Sequence, residues 1–387
     1  MVKLSRNTLI LSSTSFLVDI SSEMIFPLLP FFLINILFAP DYAIGLMEGI
    51  SGLVISLLAF FSGVYTDRLG RKKTTILSGY SISTLFKGFL IVATSWQQIF
   101  VLRILERLGK GMRETPRDAL IALSEPPKNL GRAFGFRKLF DNIGAILGPL
   151  IASVIVLLYF NNSHSAESYR FLFTIGLFPA ILSVILLLFL QDHATRQKQP
   201  IASLRELFQS RKLRNLLVVS AVFSLGQFTT FFFLLRANQY MELYLVPLAY
   251  LAFNIFYALF SLPVGYFTDR FGAKNALTVG FLCFLVVLLG FGLFPSLQTI
   301  FLMFLLLGIF MAVVETVPQV FIVRTVQKDQ YASAIGTYKG VVGLLALPAN
   351  IFAGLLWSVN LFTIPGTFVF SIVTTILALF LLIVLIE

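Results

Sequence analysis

The chain is written in long apolar runs separated by short polar ones. An α-helix needs about twenty residues to cross roughly 30 Å of hydrocarbon, and twelve stretches meet that length: 8–38, 42–66, 74–94, 97–123, 132–159, 168–190, 213–240, 243–267, 275–294, 298–324, 330–357 and 360–386. The runs are continuous rather than alternating, unlike the strands of an outer-membrane barrel. Open strands in lipid would leave backbone groups unpaired. The pattern predicts an all-α integral membrane protein with 12 transmembrane helices.

Composition agrees with this. Of 387 residues, 58% are hydrophobic, only 12% are charged and 42 are Phe, far from the usage of soluble domains. The net charge of +11 would suggest a nucleic-acid partner in a soluble protein. Here its placement explains it. Lys3, Arg6, Arg68, Arg71, Lys72, Lys73, Lys128, Arg132, Arg196, Lys198, Arg205, Arg211, Lys212, Arg214, Arg270, Lys274 and Lys328 all fall in connections that share one side. The opposite connections hold no Lys or Arg apart from Arg170 at a helix start. By the positive-inside rule both termini and the long central loop are expected in the cytoplasm, the chain lying in the cell inner (plasma) membrane. No nucleic-acid partner is expected.

Cys283 is the lone cysteine and lies in an apolar run, so no internal disulfide is available. With two loop histidines, His164 and His193, no metal site or cofactor is expected. The amino-terminal stretch has a basic tip and an apolar run, but that run outlasts a signal-peptide core and carries two acids, so it is taken as a retained first membrane helix.

Residues 191–212 form the long polar stretch that divides the apolar runs six and six, giving an N-terminal six-helix bundle over 1–190, a cytoplasmic central loop over 191–212 and a C-terminal six-helix bundle over 213–387. The two bundles read as a duplication. Asp67 and Asp269 are 202 residues apart, Glu114 and Glu315 are 201 apart, and "AFGFRK" at 133–138 returns as "AIGTYK" at 334–339, again 201 apart.

The segment "GVYTDRLGRKK" at 63–73 follows the second apolar run, and a paler copy, "GYFTDRFGAKN", stands at 265–275. The first resembles the G-x-x-x-D-R-x-G-R-[KR] signature of the major facilitator superfamily of transporters through Gly63, Asp67, Arg68, Gly70, Arg71 and Lys72. The second retains Gly265, Asp269, Arg270, Gly272 and Lys274, with Ala273 in place of the second Arg. Gly63 would allow close helix approach, Asp67 would end its helix as an acceptor, and Gly70 would turn the chain. The resemblance implies two pseudo-symmetric six-helix bundles. It also implies a gating latch formed by Gly63, Asp67, Arg68, Gly70, Arg71, Asp269 and Arg270.

A charge at bilayer depth costs about 2.5–3.5 kcal/mol on insertion scales, so each one demands a use. In the fourth run Arg103, Arg107, Lys110, Glu114 and Arg117 recur at spacings of 4, 3, 4 and 3, which lays them along one helical face that lipid cannot cover. Arg107 with Lys110 and Gly111 also resembles the family's helix-4 pattern, linked there to proton coupling. The alternative is an internally paired structural stripe. Asp19 and Glu23 stand four apart in the first run, with Lys87, Arg137, Lys138, Asp141, Arg236, Glu315 and Lys339 at similar depth. The resemblance implies that helices 1, 4, 7 and 10 line a central cavity. Arg103, Arg107, Lys110, Lys87, Arg236 and Lys339 are therefore candidates for binding the solute, and Asp19, Glu23, Glu114 and Glu315 for carrying protons. Permanent salt bridges are the competing reading for these carboxylates.

At this depth bases outnumber acids, which favours an anionic or carboxylate-bearing solute, a polycarboxylate or siderophore among them. A second reading rests on Gly144, Gly148 and Pro149, which resemble the stem of a motif found in proton-driven multidrug exporters. Ala152 and Ser153 replace its terminal glycines, and small residues four apart also serve plain helix packing. The Phe residues could line a pocket for lipophilic compounds or face lipid, and "FPLLP" at 26–30 is expected to bend the first helix. No phosphate-cradling glycine motif and no nucleophile–base set is present, so neither an ATP-driven pump nor an enzyme is expected. The expected partners are a small-molecule solute, protons and the lipid bilayer, with the chain working as a monomer.

Overall fold

The computed structural model describes residues 4–69, 72–126, 129–160, 165–191, 210–326, 331–361 and 364–386, with backbone only at 60, 63–69, 331–333, 360 and 361. The described chain is helical except for one two-residue hairpin. The helices are α1 (Arg6–Ile25), α2 (Leu29–Phe31) with a π-helical turn at Phe32–Ile36, α3 (Asp41–Leu69), α4 (Lys72–Phe89), α5 (Trp96–Ser124), α6 (Leu130–Tyr159) and α7 (Ala166–Leu187). After the central stretch come α8 (Arg211–Gly226), α9 (Thr230–Asn238), α10 (Leu245–Phe271), α11 (Ala273–Leu293), α12 (Leu297–Thr325), α13 (Tyr331–Trp357) and α14 (Gly366–Leu385). Strands β1 (Asn360–Leu361) and β2 (Ile364–Pro365) pair antiparallel, so the last helix begins six residues later than the apolar run suggests.

Among the described residues, ten helical stretches are long and apolar enough to cross a membrane. Helices α4 and α5 fall short of that standard, because Lys72, Lys73 and Lys87 in one and the charged face of the other dilute their hydropathy. The protein is a multi-span membrane protein.

Two apolar runs read as single helices are each broken in two. The first stops at Ile25 and resumes at Leu29; the seventh stops at Gly226 and resumes at Thr230. The offset between the two breaks is 201 residues at both edges, the spacing of the sequence repeat. A proline was the expected cause of the first bend, yet the second break has none, with Phe228 where Pro27 stands. There Thr229 begins the new helix instead. Its hydroxyl accepts the Phe231 N–H at 3.4 Å, and its own N–H goes to Asn350 Oδ1 at 2.7 Å. These bonds supply the donors and acceptors that a helix end lacks. Helices α5 and α12 also start and end 201 residues apart, each capped by a serine, Ser95 and Ser296.

The chain forms two compact units. The first comprises Met1–Pro40, Ile50–Gln199 and Leu243–Leu251; the second comprises Asp41–Gly49, Pro200–Glu242 and Ala252–Glu387. In the first, α1 packs on α6 and α7, and α4 packs on α5 and α7. In the second the equivalent helices repeat those pairings: α8 on α13 and α14, and α11 on α12 and α14. Glycine makes the tightest of these contacts possible. Gly148 of α6 faces α1 so closely that a Cβ would lie 2.8 Å from Ile20 O and 2.8 Å from Glu23 Cβ.

The two interiors differ. Leu11, Val18, Ile76, Tyr80, Leu120, Ile121 and Leu187 form a mainly aliphatic cluster in the first unit, with a smaller aromatic one of Phe32, Phe160, Tyr169 and Phe173. The second is built on phenylalanine: Phe223 stacks on Phe281 at 4.1 Å, Phe284 stacks on Phe310 at 4.3 Å, and Phe233, Phe291 and Phe368 extend the set edge to face. Such pairs add about 0.5–1.5 kcal/mol each beyond burial. Others, such as Phe178 and Phe380, point outward.

Candidate functional site

In the first unit the charged face of α5 meets α1, α4 and α6. Deepest is a group of three: Lys87 of α4 with Arg103 and Glu106 of α5, all buried. Arg103 Nη1 donates to Glu106 Oε2 at 2.6 Å, and Lys87 Nζ lies 4.0 Å from Glu106 Oε1. Lys87 also donates to the hydroxyls of Ser21 and Ser22, each at 2.9 Å. Two cations share one carboxylate and two hydroxyls. Close helix contact makes room for this, since a Cβ on Gly109 would collide with Gly79 O and with Ser83. Ser83 then accepts from Arg113, at 2.6 Å, and Arg113 lies 4.3 Å above the Tyr80 ring.

On α1, flanking Ser21 and Ser22, lies a second, less enclosed group. Asp19 and Glu23 are half-buried. Lys110, Arg117 and Asp141 lie within electrostatic range of Asp19, and Arg103, Arg107 and Lys110 within that of Glu23. Tyr250, in the stretch that belongs to this unit, donates its hydroxyl to Glu23 Oε2 at 2.8 Å. Lys110 pairs with Glu114 at 3.8 Å, both partly exposed. Arg117 donates to Ser15 Oγ and to Asp118 Oδ1, and Arg137 bonds Asp141 Oδ2 at 2.8 Å. The face of α5 is thus partly an internally paired stripe, as its spacing allowed, but it also confronts two carboxylates of another helix.

The remaining candidates lie apart from these groups. Arg236 is buried in the second unit, where the carbonyls of Phe291 and Gly292 and the Gln239 amide oxygen take its hydrogen bonds. Glu315 and Lys339 are exposed. Asp269 accepts from Arg324 at 2.6 Å, both exposed, and Arg270 lies over the Phe271 ring. Gly272 has φ +85°, so here the signature does need glycine. Gly63, Asp67 and Arg68 occupy the last turns of α3 with their side chains outside the described residues, and Gly70 and Arg71 lie outside them altogether.

Sequence reasoning missed Tyr250, Ser21 and Ser22 as partners of charged groups. Hydroxyls in apolar runs are frequent, and only the adjacent pair in "DISSEM" hinted at a use. It also missed Ser220 and Tyr338, which with Phe223, Ser224 and Gln227 line a small cavity in the second unit.

Comparison with known proteins places this geometry. The profile of the Major Facilitator Superfamily matches residues 11–251 and 243–387. The chain is 34% identical over 368 residues to an uncharacterised MFS-type transporter of Methanocaldococcus jannaschii, covering 92% of this chain and 90% of that one. It is 25% identical to the multidrug resistance protein MdtH of Baumannia cicadellinicola over 76% of this chain and 70% of the relative. Among solved structures, the nucleoside transporter NupG superposes with a TM-score of 0.79 at 15% identity, covering 98% of each chain. The chain belongs to the Major Facilitator Superfamily. It is a membrane transporter of small molecules and not an enzyme.

Proposed function

We propose that the protein is a secondary transporter that moves an anionic or carboxylate-bearing organic solute across the inner membrane, driven by protons and working by alternating access. In this reading it has twelve spans with both termini in the cytoplasm, bundles over 1–190 and 213–387, and a loop over 191–212 between them. One observation carries the proposal: Asp19 and Glu23, half-buried and four residues apart on α1, both lie in the field of Lys110 of α5, with Arg117 adding to it at Asp19 and Arg103 and Arg107 at Glu23. Carboxylates that exchange one partner for another on protonation can bias two conformations. Cations released by that exchange can hold an anion. Asp269, paired with Arg324, and its counterpart Asp67 serve as the gate with Arg68, Arg270 and the adjoining Gly63, Gly70 and Arg71. Uptake of citrate into proteoliposomes tests the reading. A pH gradient, acidic on the side of entry, should accelerate uptake, and Asp19→Asn or Glu23→Gln should abolish that acceleration. Equal rates with and without the gradient would exclude proton coupling.

Proton-driven export of lipophilic compounds is the second reading, favoured by the MdtH relative. Proton-driven efflux of ethidium from proteoliposomes, with no citrate uptake, would select it. Gly144 and Gly148 both sit in the α1–α6 contact, where small residues also serve packing.

A further inference from the structure

The repeat offset gives each part of the charged group a counterpart in the second unit. Adding 201 residues to Asp19, Glu23, Arg113, Arg117, Arg137 and Asp141 gives Ser220, Ser224, Val314, Pro318, Tyr338 and Val342. All six of those counterparts line the cavity of the second unit. The register is secure, because the helix breaks, the whole of α5 and α12, and the starts of α6 and α13 share the same offset. One duplicated place in the fold is therefore charged in the first unit and neutral in the second.

We propose that this cavity is a recognition site for an uncharged, hydroxyl- or carbonyl-bearing group of the transported solute, while the first unit handles charge. The proposal rests on the transporter reading above but not on proton coupling. Ser220, Ser224 and Tyr338 are buried, with the Ser220 hydroxyl near that of Tyr338. Gln227 adds an amide at the point where α8 ends, its N–H turned back to Ser224 O at 3.2 Å. Interrupted helices of this kind are where transporters place their sites. Phe223 and Phe281, parallel to within 4°, supply a flat apolar wall. Hydroxyls and an amide satisfy a neutral polar group, whereas a charge there would find no counter-ion in the lining and would bear a large desolvation cost. Glu315, within electrostatic range of Tyr338, further disfavours an anion. The cavity has a volume of about 20 Å³, room for a single hydroxyl or carbonyl rather than for a whole solute.

Catechol, a neutral aromatic diol, and benzoate, an anion of similar size, are suitable probes of the full chain in nanodiscs by equilibrium dialysis. Catechol should bind at millimolar concentration. Ser224→Ala and Tyr338→Phe should each weaken it roughly fivefold, the effect of one neutral hydrogen bond, while benzoate binding changes in neither. Thermal unfolding without ligand confirms that each variant is folded; Ser220→Ala replaces any that is not. Failure of catechol to bind, equal binding by wild type and variants, or an equal loss of benzoate overturns the proposal. The proton-coupled reading is judged separately, by the pH-gradient dependence of citrate uptake.

Discussion

Tyr250 donates its hydroxyl to Glu23 Oε2 at 2.8 Å, joining residues 227 positions apart in the sequence. A hydrogen bond to an ionised group is worth about 1.5–3 kcal/mol. Tyr250→Phe keeps the ring beside Phe26, whose centroid is 5.4 Å away, and removes only the donor. Proteoliposome uptake should fall about tenfold or more in this variant, since about 1.4 kcal/mol corresponds to a factor of ten. Unchanged uptake would show that the bond does not contribute to turnover.

Glu106 is the single carboxylate between Lys87 and Arg103. Removing one partner of a buried ion pair costs about 3–5 kcal/mol, because the other charge stays buried and uncompensated. Glu106→Gln should therefore lower the thermal midpoint strongly, and adding Lys87→Met should restore part of the loss. If the double variant is no more stable than Glu106→Gln, the three groups are not energetically coupled.

Two glycines should respond in opposite ways to the same substitution. Gly148→Ala forces a methyl group to within 2.8 Å of α1, and overpacking of this kind costs about 1–3 kcal/mol. A Cβ at Gly336 of α13 meets nothing within 4 Å, so Gly336→Ala should be neutral or stabilise by up to about 1 kcal/mol through helix propensity. Thermal midpoints of the two variants, measured side by side, check the contrast.

Glu125, just past the end of α5, accepts the Ser5 N–H at 2.7 Å and the Thr8 hydroxyl at 2.8 Å, bracing the start of α1. Burial pushes its carboxyl up, but these hydrogen bonds outweigh burial and hold it below the usual 4.5. A depressed carboxyl stabilises the fold above its unfolded value and loses that contribution as pH falls through its folded value. The stability difference between wild type and Glu125→Gln should therefore be constant from about pH 7 to about pH 5 and shrink below 4.5. A difference that does not vary with pH would mean that the carboxylate charge plays no part in the brace.

Apolar run length, the 201-residue repeat and the 4, 3, 4, 3 spacing on the fourth run were legible in the chain itself, because bilayer thickness and helical pitch act on residues close together. They were enough for a helical membrane protein, a duplicated architecture and a face of α5 turned away from lipid. Partners across helices were a different matter. That Lys87 and Arg103 share Glu106, that Arg236 is satisfied by backbone carbonyls while Glu315 and Lys339 are exposed, and that Ser220 faces a cavity where its counterpart Asp19 faces cations all depended on helix rotation and crossing. Those are set by side-chain packing between segments far apart in the chain, which no local pattern encodes.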